Sequence, residues 1–160
     1  MSVPRRKPPR PGQEALPELH CACATARRAA RAVTHLYDRH MHGAGIEASQ
    51  FALLSLLEKM PGSSQAVQGR WLAMDKTTLS RNFKLLKQQG WIEPSPGKDE
   101  RERGFRLTRK GQQRLEAAKP LWKDAQQRLQ SVLGPREWEA AFKALRALTQ
   151  AATAARQTEA

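Results

Sequence analysis

The chain has 160 residues, enough for about one domain with a single core, and its 28 Lys and Arg against 15 Asp and Glu give a formal charge of +13. That excess suits a polyanionic partner, nucleic acid first, while no run approaches the roughly 18 uninterrupted apolar residues that a membrane span requires. Cys21 and Cys23 are too few and too close for a disulfide framework, which fits a reducing cytoplasm.

Residues 1–17 combine Arg5, Arg6, Lys7 and Arg10 with Pro4, Pro8, Pro9, Pro11 and Pro17. With no apolar block to serve as a signal-peptide core, they read as a disordered basic arm. Beyond it Val and Ile are scarce while Ala, Leu, Arg, Gln and Lys abound, so a mainly α fold is expected. A first helix from near Glu18 carries Cys23, Ala26, Ala30, Val33 and Tyr37 at steps of three and four, a stripe that needs a partner, and Gly43 and Gly45 end it. A second helix from Glu47 to Met60 presents Phe51, Leu54 and Leu57 on one side, with Gln50 three residues after the cap and Pro61-Gly62 as the stop.

Ser63 or Ser64 caps a short third helix through Trp71 and Leu72, and Met74-Asp75 forms a tight junction. Asp75 then caps a fourth helix with Leu79, Phe83 and Leu86 inward and Gly90 as its left-handed terminator. A hairpin follows: Trp91–Glu93 as one short strand, a loop from Pro94 to Arg101, and Arg103–Leu107 as the return. Thr108 caps a long fifth helix to Leu133 that Pro120 bends. Gly134 closes it, and Pro135 and Glu137 open a sixth helix with Trp138, Phe142, Leu145 and Leu148 as its stripe.

Two short helices joined by a tight turn and followed at once by a basic hairpin make a winged helix-turn-helix. On the fourth helix the face opposite the apolar stripe offers Lys76, Thr77, Thr78, Ser80, Arg81 and Lys84, side chains able to donate to phosphate oxygens or base edges in a major groove. The hairpin gathers Lys98, Arg101, Arg103 and Arg106, where an Arg can enter a narrow minor groove. No Gly-rich phosphate loop, nucleophile with base and orienter, or pair of carboxylates points to an enzyme or to a cofactor. A sequence-neutral nucleic-acid-binding architectural protein is the competing reading, since the charge would serve it equally.

The run Leu72-Ala73-Met74-Asp75-Lys76-Thr77-Thr78-Leu79-Ser80-Arg81, with Asp99-Glu100-Arg101 and then Leu107-Thr108-Arg109-Lys110-Gly111, resembles the recognition-helix segment and wing signature of the MarR family of regulators. The resemblance covers roughly residues 18–150. It implies a homodimer in which residues 18–45 and 109–157 of both subunits interleave as a helical dimerisation region, while residues 46–108 form the winged helix-turn-helix lobe. It implies further that Arg101 enters the minor groove, that Asp99 holds the wing and that Ser80 and Arg81 lie near the bases. The expected function is that of a repressor on a pseudo-palindromic double-stranded DNA operator, released by a small-molecule effector or an oxidant. Glu47 stands where many relatives carry a Thr cap.

The signal is read less directly. Cys23, near the start of the first helix and fourteen residues before Tyr37, resembles in position the reactive thiol of the family's peroxide-sensing branch; it reads equally as a small buried hydrophobe. Cys21 lies roughly 200° around the helix from it and cannot pair with it while the helix holds. His20, Cys21 and Cys23 with His35, His40 or His42 are a weak metal-site pattern. A small aromatic or lipophilic acid paired by Arg27, Arg28 or Arg31 is the third candidate signal.

Overall fold

The computed structural model describes residues 20–96 and 103–158, six helices and a two-stranded hairpin among them. The described residues divide into two units, one ending at Val33 and the other beginning at Thr34. Helix α1 (Ala22–Met41) runs from the first unit into the second, and it begins where the Cys21 carbonyl accepts the Thr25 N–H at 3.0 Å. The earlier start expected near Glu18 falls outside the described residues. Cys23, Ala30 and Val33 of the apolar stripe are exposed in the single chain, whereas Ala26 and Tyr37 are half-buried.

The second unit holds the core. After α1 a 3-10 turn ends on Gly45 in the left-handed region, with φ 59°. Two amides at the start of helix α2 (Ala48–Lys59) find side-chain acceptors: the Glu47 N–H donates to Gln50 Oε1 at 3.1 Å, and the Ala48 N–H donates to Asp38 Oδ1 at 2.7 Å. Glu47 stands at the N-cap with extended backbone, and its amide is taken by Gln50. Helix α3 (Gln65–Leu72) is capped by Ser64, whose Oγ accepts the Val67 N–H. Ser63 turns inward instead, its hydroxyl accepting from Nε2 of the fully buried Gln68 at 2.6 Å. Helix α4 (Lys76–Gln88) follows a sharp bend made at Ala73, in the left-handed region at φ 50°; the turn residue is therefore Ala73, one before the expected junction. Gly90, at φ 68°, stops α4.

Strands β1 (Ile92–Pro96) and β2 (Arg103–Leu107) pair antiparallel, Pro94 opposite Phe105 and Pro96 opposite Arg103. The expected loop from Pro94 begins later because both prolines are strand residues. Phe105 turns its backbone groups away from β1: its N–H donates to the Ser63 carbonyl at 3.2 Å and its carbonyl accepts the Gly62 N–H at 2.9 Å. Pro94, opposite it, occupies a non-hydrogen-bonded position, as does Pro96 two residues on, so the missing N–H groups cost no ladder bond.

Helix α5 (Arg109–Leu133) is capped by Thr108, whose Oγ1 accepts the Gly111 N–H at 3.0 Å, and it runs unbroken through Pro120. Helix α6 (Pro135–Thr158) completes the described chain. Leu53, Leu54 and Leu57 of α2, Phe83 and Leu86 of α4, Trp91, Ile92 and Phe105 of the hairpin and Leu115 of α5 make one buried cluster, each large side chain contributing about 1.5–3 kcal/mol of burial. Phe83 meets Phe105 edge to face, ring centres 4.9 Å apart. The fold is mainly α with a small β-hairpin, as the pattern of stripes and caps predicts.

Candidate nucleic-acid interface

The apolar stripe of α4 settles which of its side chains face outward. Leu79, Phe83 and Leu86 are buried, whereas Lys76, Thr77, Thr78, Ser80, Arg81 and Lys84 are all exposed. Asp75 fixes the start of this face: its Oδ1 accepts the Thr78 N–H at 2.9 Å and its Oδ2 accepts the Thr78 hydroxyl at 2.7 Å. Those bonds, the backbone one first, hold the Asp75 carboxyl below the usual range. Thr78 therefore spends its hydroxyl proton inside the protein and presents only acceptor capacity outward.

Several participants carry no obvious sequence signal. Gln65, the first residue of α3, donates from Nε2 to Ser80 Oγ at 3.3 Å. Asn82 donates to the Thr78 carbonyl at 2.9 Å, while Ser49 of α2 donates to Asn82 Oδ1 at 3.4 Å, linking α2 to α4. Lys87 places its Nζ 5.2 Å from the centre of the Phe105 ring. Each joins residues 13 or more apart in sequence except the Asn82–Thr78 bond, so only packing reveals them; Gln65 alone had a local pointer, its place directly after a capping serine.

In the hairpin, Lys98, Asp99 and Arg101 lie outside the described residues, and Arg103 is placed by its backbone at the start of β2. Arg106 is engaged within the sheet: Nε and Nη2 both approach Glu93 Oε1 at 2.8 Å, across the register that sets the two residues opposite each other. The pair is exposed and adds little stability. The hairpin is anchored at both ends. A Cβ on Gly104 would stand 2.3 Å from the Gly62 carbonyl oxygen, and one on Gly111 1.9 Å from that of Trp91, so only glycine allows β2 to approach the α2–α3 turn, and α5 to approach Trp91, this closely. Thr108 Oγ1 donates to the Gly90 carbonyl at 2.6 Å and its N–H to that of Trp91 at 3.0 Å, tying the end of α4 to the start of α5.

A separate cavity of about 490 Å³ opens among Tyr37, Met41, Phe51 and Trp122, with Lys59, Lys119 and Lys123 at its edge. Phe51 and Trp122 stack with centres 5.7 Å apart. Lys119 Nζ donates to Glu116 at 2.6 Å and to Glu58 at 2.9 Å, and Gln112 donates to Glu58 at 2.8 Å. Lys119, then Gln112, hold the Glu58 carboxyl below its ordinary range, and Glu116, then Glu58, raise the Lys119 ammonium. Tyr37, proposed from sequence as a sensing residue, donates its hydroxyl to Gln126 Oε1, and partial burial raises its pKa.

Cys23 is exposed, as is Cys21, which removes the reading of Cys23 as a buried core filler within the single chain. Arg27 and Arg31 are exposed on α1. Among the described residues no three His, Cys, Asp or Glu side chains gather as a metal site would need; His40 directs Nδ1 to the Leu36 carbonyl at 2.8 Å and Nε2 toward Asp124 at 3.4 Å. No described helix is long and apolar enough to cross a membrane.

The segment that holds α2, α3, α4 and β1 is matched by the model of the MarR family over residues 44–102. The transcriptional regulator MosR of M. tuberculosis, solved in complex with DNA, is 32% identical, covers 86% of this chain and 99% of its own, and superposes with a TM-score of 0.76. A probable transcriptional regulator from Pseudomonas aeruginosa is 25% identical, with 81% and 97% covered and a TM-score of 0.71. The uncharacterized HTH-type transcriptional regulator YwoH of Bacillus subtilis (strain 168) is 25% identical over 89 residues, 56% of this chain and 65% of that protein; the match therefore spans just under two thirds of that curated relative. With its caps, its tight α3–α4 bend and its paired hairpin in this order, and with these likenesses in sequence and fold, the chain belongs to the MarR family of winged-helix transcriptional regulators.

Proposed function

We propose that this chain represses transcription as a homodimer that grips a pseudo-palindromic operator and lets go when an effector binds. The observation that carries the DNA reading is the outward face of α4, where Lys76, Thr77, Ser80, Arg81 and Lys84 stand exposed on a helix whose opposite side is locked into the core. A rigid helix of this polarity suits a major groove, with Lys76 and Lys84 on phosphates and Ser80 and Arg81 toward base edges. Lys98, Asp99, Arg101 and Arg103 of the wing extend the contact into the neighbouring minor groove. MosR, 32% identical, was solved on DNA, which supports the same partner here. Residues 46–108 are the DNA-binding lobe in this reading, and it acts by occupancy, not by turnover.

Dimerisation through residues 18–45 and 109–157 is supported by apolar side chains that a single chain leaves open. Val132, Leu133, Phe142, Leu145 and Leu148 of α5 and α6 are each 38–56% exposed, and a second copy offers the same surface in return. For the signal, the cavity lined by Phe51 and Trp122 with a lysine edge favours a small aromatic or lipophilic acid. The exposed thiol of Cys23 supports oxidation as a second route. Either signal must favour the released state by about 5.5 kcal/mol to reverse a mostly bound population.

Selection from random DNA followed by footprinting tests the proposal. The expected motif has two half-sites about one helical turn apart, and Arg101→Ala should weaken binding to it by about 1–3 kcal/mol. Binding that follows phosphate charge alone, with no symmetric motif, would instead establish the sequence-neutral architectural reading. Release by organic acids that survives Cys23→Ser assigns the signal to the cavity; release by oxidant that disappears in Cys23→Ser assigns it to the thiol.

A further inference from the structure

We infer that Gln65, on α3 and outside the recognition helix, is a specificity-determining residue that reads an adenine in each half-site, held for that task by Ser80. The inference rests on the DNA-binding reading and adds to it a residue and a base. Gln65 Nε2 donates to Ser80 Oγ at 3.3 Å, and Ser80 belongs to the exposed face of α4. The two side chains border a recess of about 450 Å³ at the α3–α4 edge, together with Lys84, Lys87 and Gln88. The amide of Gln65 is thus delivered to the same surface as the recognition helix by a different element, and a cationic rim faces the backbone beside it.

The hydrogen-bond inventory identifies the base. A carboxamide carries two N–H donors and one carbonyl acceptor. Ser80 takes one N–H, which leaves one N–H and Oε1 on the same planar group. That remaining fork matches the N7 acceptor and N6 amino donor of adenine in the major groove, the standard bidentate pairing of a Gln. Guanine presents two acceptors at the corresponding positions, and cytosine presents a donor, so neither satisfies both atoms. Ser80 restrains an otherwise freely rotating side chain, which lowers the entropy lost when the amide meets the base. Ser80 acts here as a positioning residue, although its own hydroxyl proton stays available for a second contact.

The experiment is binding-site selection from random duplex DNA with the full chain and with Gln65→Ala, Gln65→Glu and Ser80→Ala. The unaltered protein should return a symmetric motif with adenine at one position of each half-site, and its affinity should drop about 5- to 150-fold when that base pair is replaced. Gln65→Ala should lose the preference at that position alone, and Ser80→Ala should weaken it there. Gln65→Glu, which can accept but not donate, should move the preference from adenine toward cytosine. A uniform loss of affinity across all sequences, with the motif unchanged, would make Gln65 a phosphate contact and overturn the assignment while leaving the DNA-binding reading intact. Failure of the unaltered protein to return any motif would remove both.

Discussion

Replacing Gly111 by Ala tests whether the junction of recognition helix, hairpin and α5 is as tight as the geometry requires. Alanine is the better helix former by about 0.8–1.0 kcal/mol, so local propensity alone predicts a stabilised protein. Tertiary packing predicts the reverse. The new Cβ would sit 1.9 Å from the Trp91 carbonyl oxygen, 2.8 Å from its carbon and 3.1 Å from its Cα, all backbone atoms that cannot rotate aside, so the two segments must part by about an ångström. That displacement strains the Thr108 bonds to Gly90 and Trp91, at 2.6 and 3.0 Å, each contributing about 0.5–1.5 kcal/mol. Overpacking adds about 1–3 kcal/mol. After the propensity gain is subtracted, a net loss of about 1–5 kcal/mol is expected, or a melting temperature lower by about 2–20 °C in a chain of this size. Urea unfolding at fixed protomer concentration measures it as a shifted midpoint with an unchanged slope. Gly43→Ala is the matched control: nothing lies within 4 Å of its new Cβ, and a gain of about 0.4–1 kcal/mol is expected. A Gly111→Ala protein as stable as the parent would refute the reasoning.

Leu145→Asp with Leu148→Asp, at positions 53% and 40% exposed in the single chain, should turn the proposed dimer into a monomer in analytical ultracentrifugation, against a parent of twice that mass, and abolish cooperative operator binding; a mass equal to the parent's would contradict the proposed interface. Glu58→Gln should lower the melting temperature at neutral pH by about 1–4 °C, since the Glu58–Lys119 pair is partly solvent-screened. The folded-state pKa of Glu58 lies below its ordinary value because of Lys119 and Gln112, so its contribution is complete above the unfolded pKa and disappears as pH falls through the folded one. The gap between parent and variant should therefore close on acidification, and a gap that widened in acid would contradict the assignment.

What could be read along the chain is what acts over three or four residues. The Asp75, Thr108 and Glu47–Gln50 caps, the inward stripe of α4 and the terminating Gly90 follow from helix periodicity and from the few side chains able to satisfy free amides. The outward face of α4 was legible for the same reason, because burying Leu79, Phe83 and Leu86 leaves one orientation for Lys76, Ser80, Arg81 and Lys84. The family signature was local too, since its residues fall in three short runs of the chain, 72–81, 99–101 and 107–111.

Decisions made between distant segments were hidden. Prolines 94 and 96 read as loop, yet they are strand residues because Phe105 directs its backbone to Gly62 and Ser63 and asks no donor of its partner. Which of two adjacent serines caps α3 was settled by Gln68, buried below and needing the Ser63 hydroxyl. Gln65 joined the candidate interface only through Ser80, fifteen residues on. The amino-acid order alone determined the helices, their caps and the polar face of α4, because these depend on neighbours one turn away; only tertiary structure decided the extent of the hairpin, the glycine contacts that seat it and the side chains grouped around the recognition helix, because those depend on backbones brought together from opposite ends of a loop.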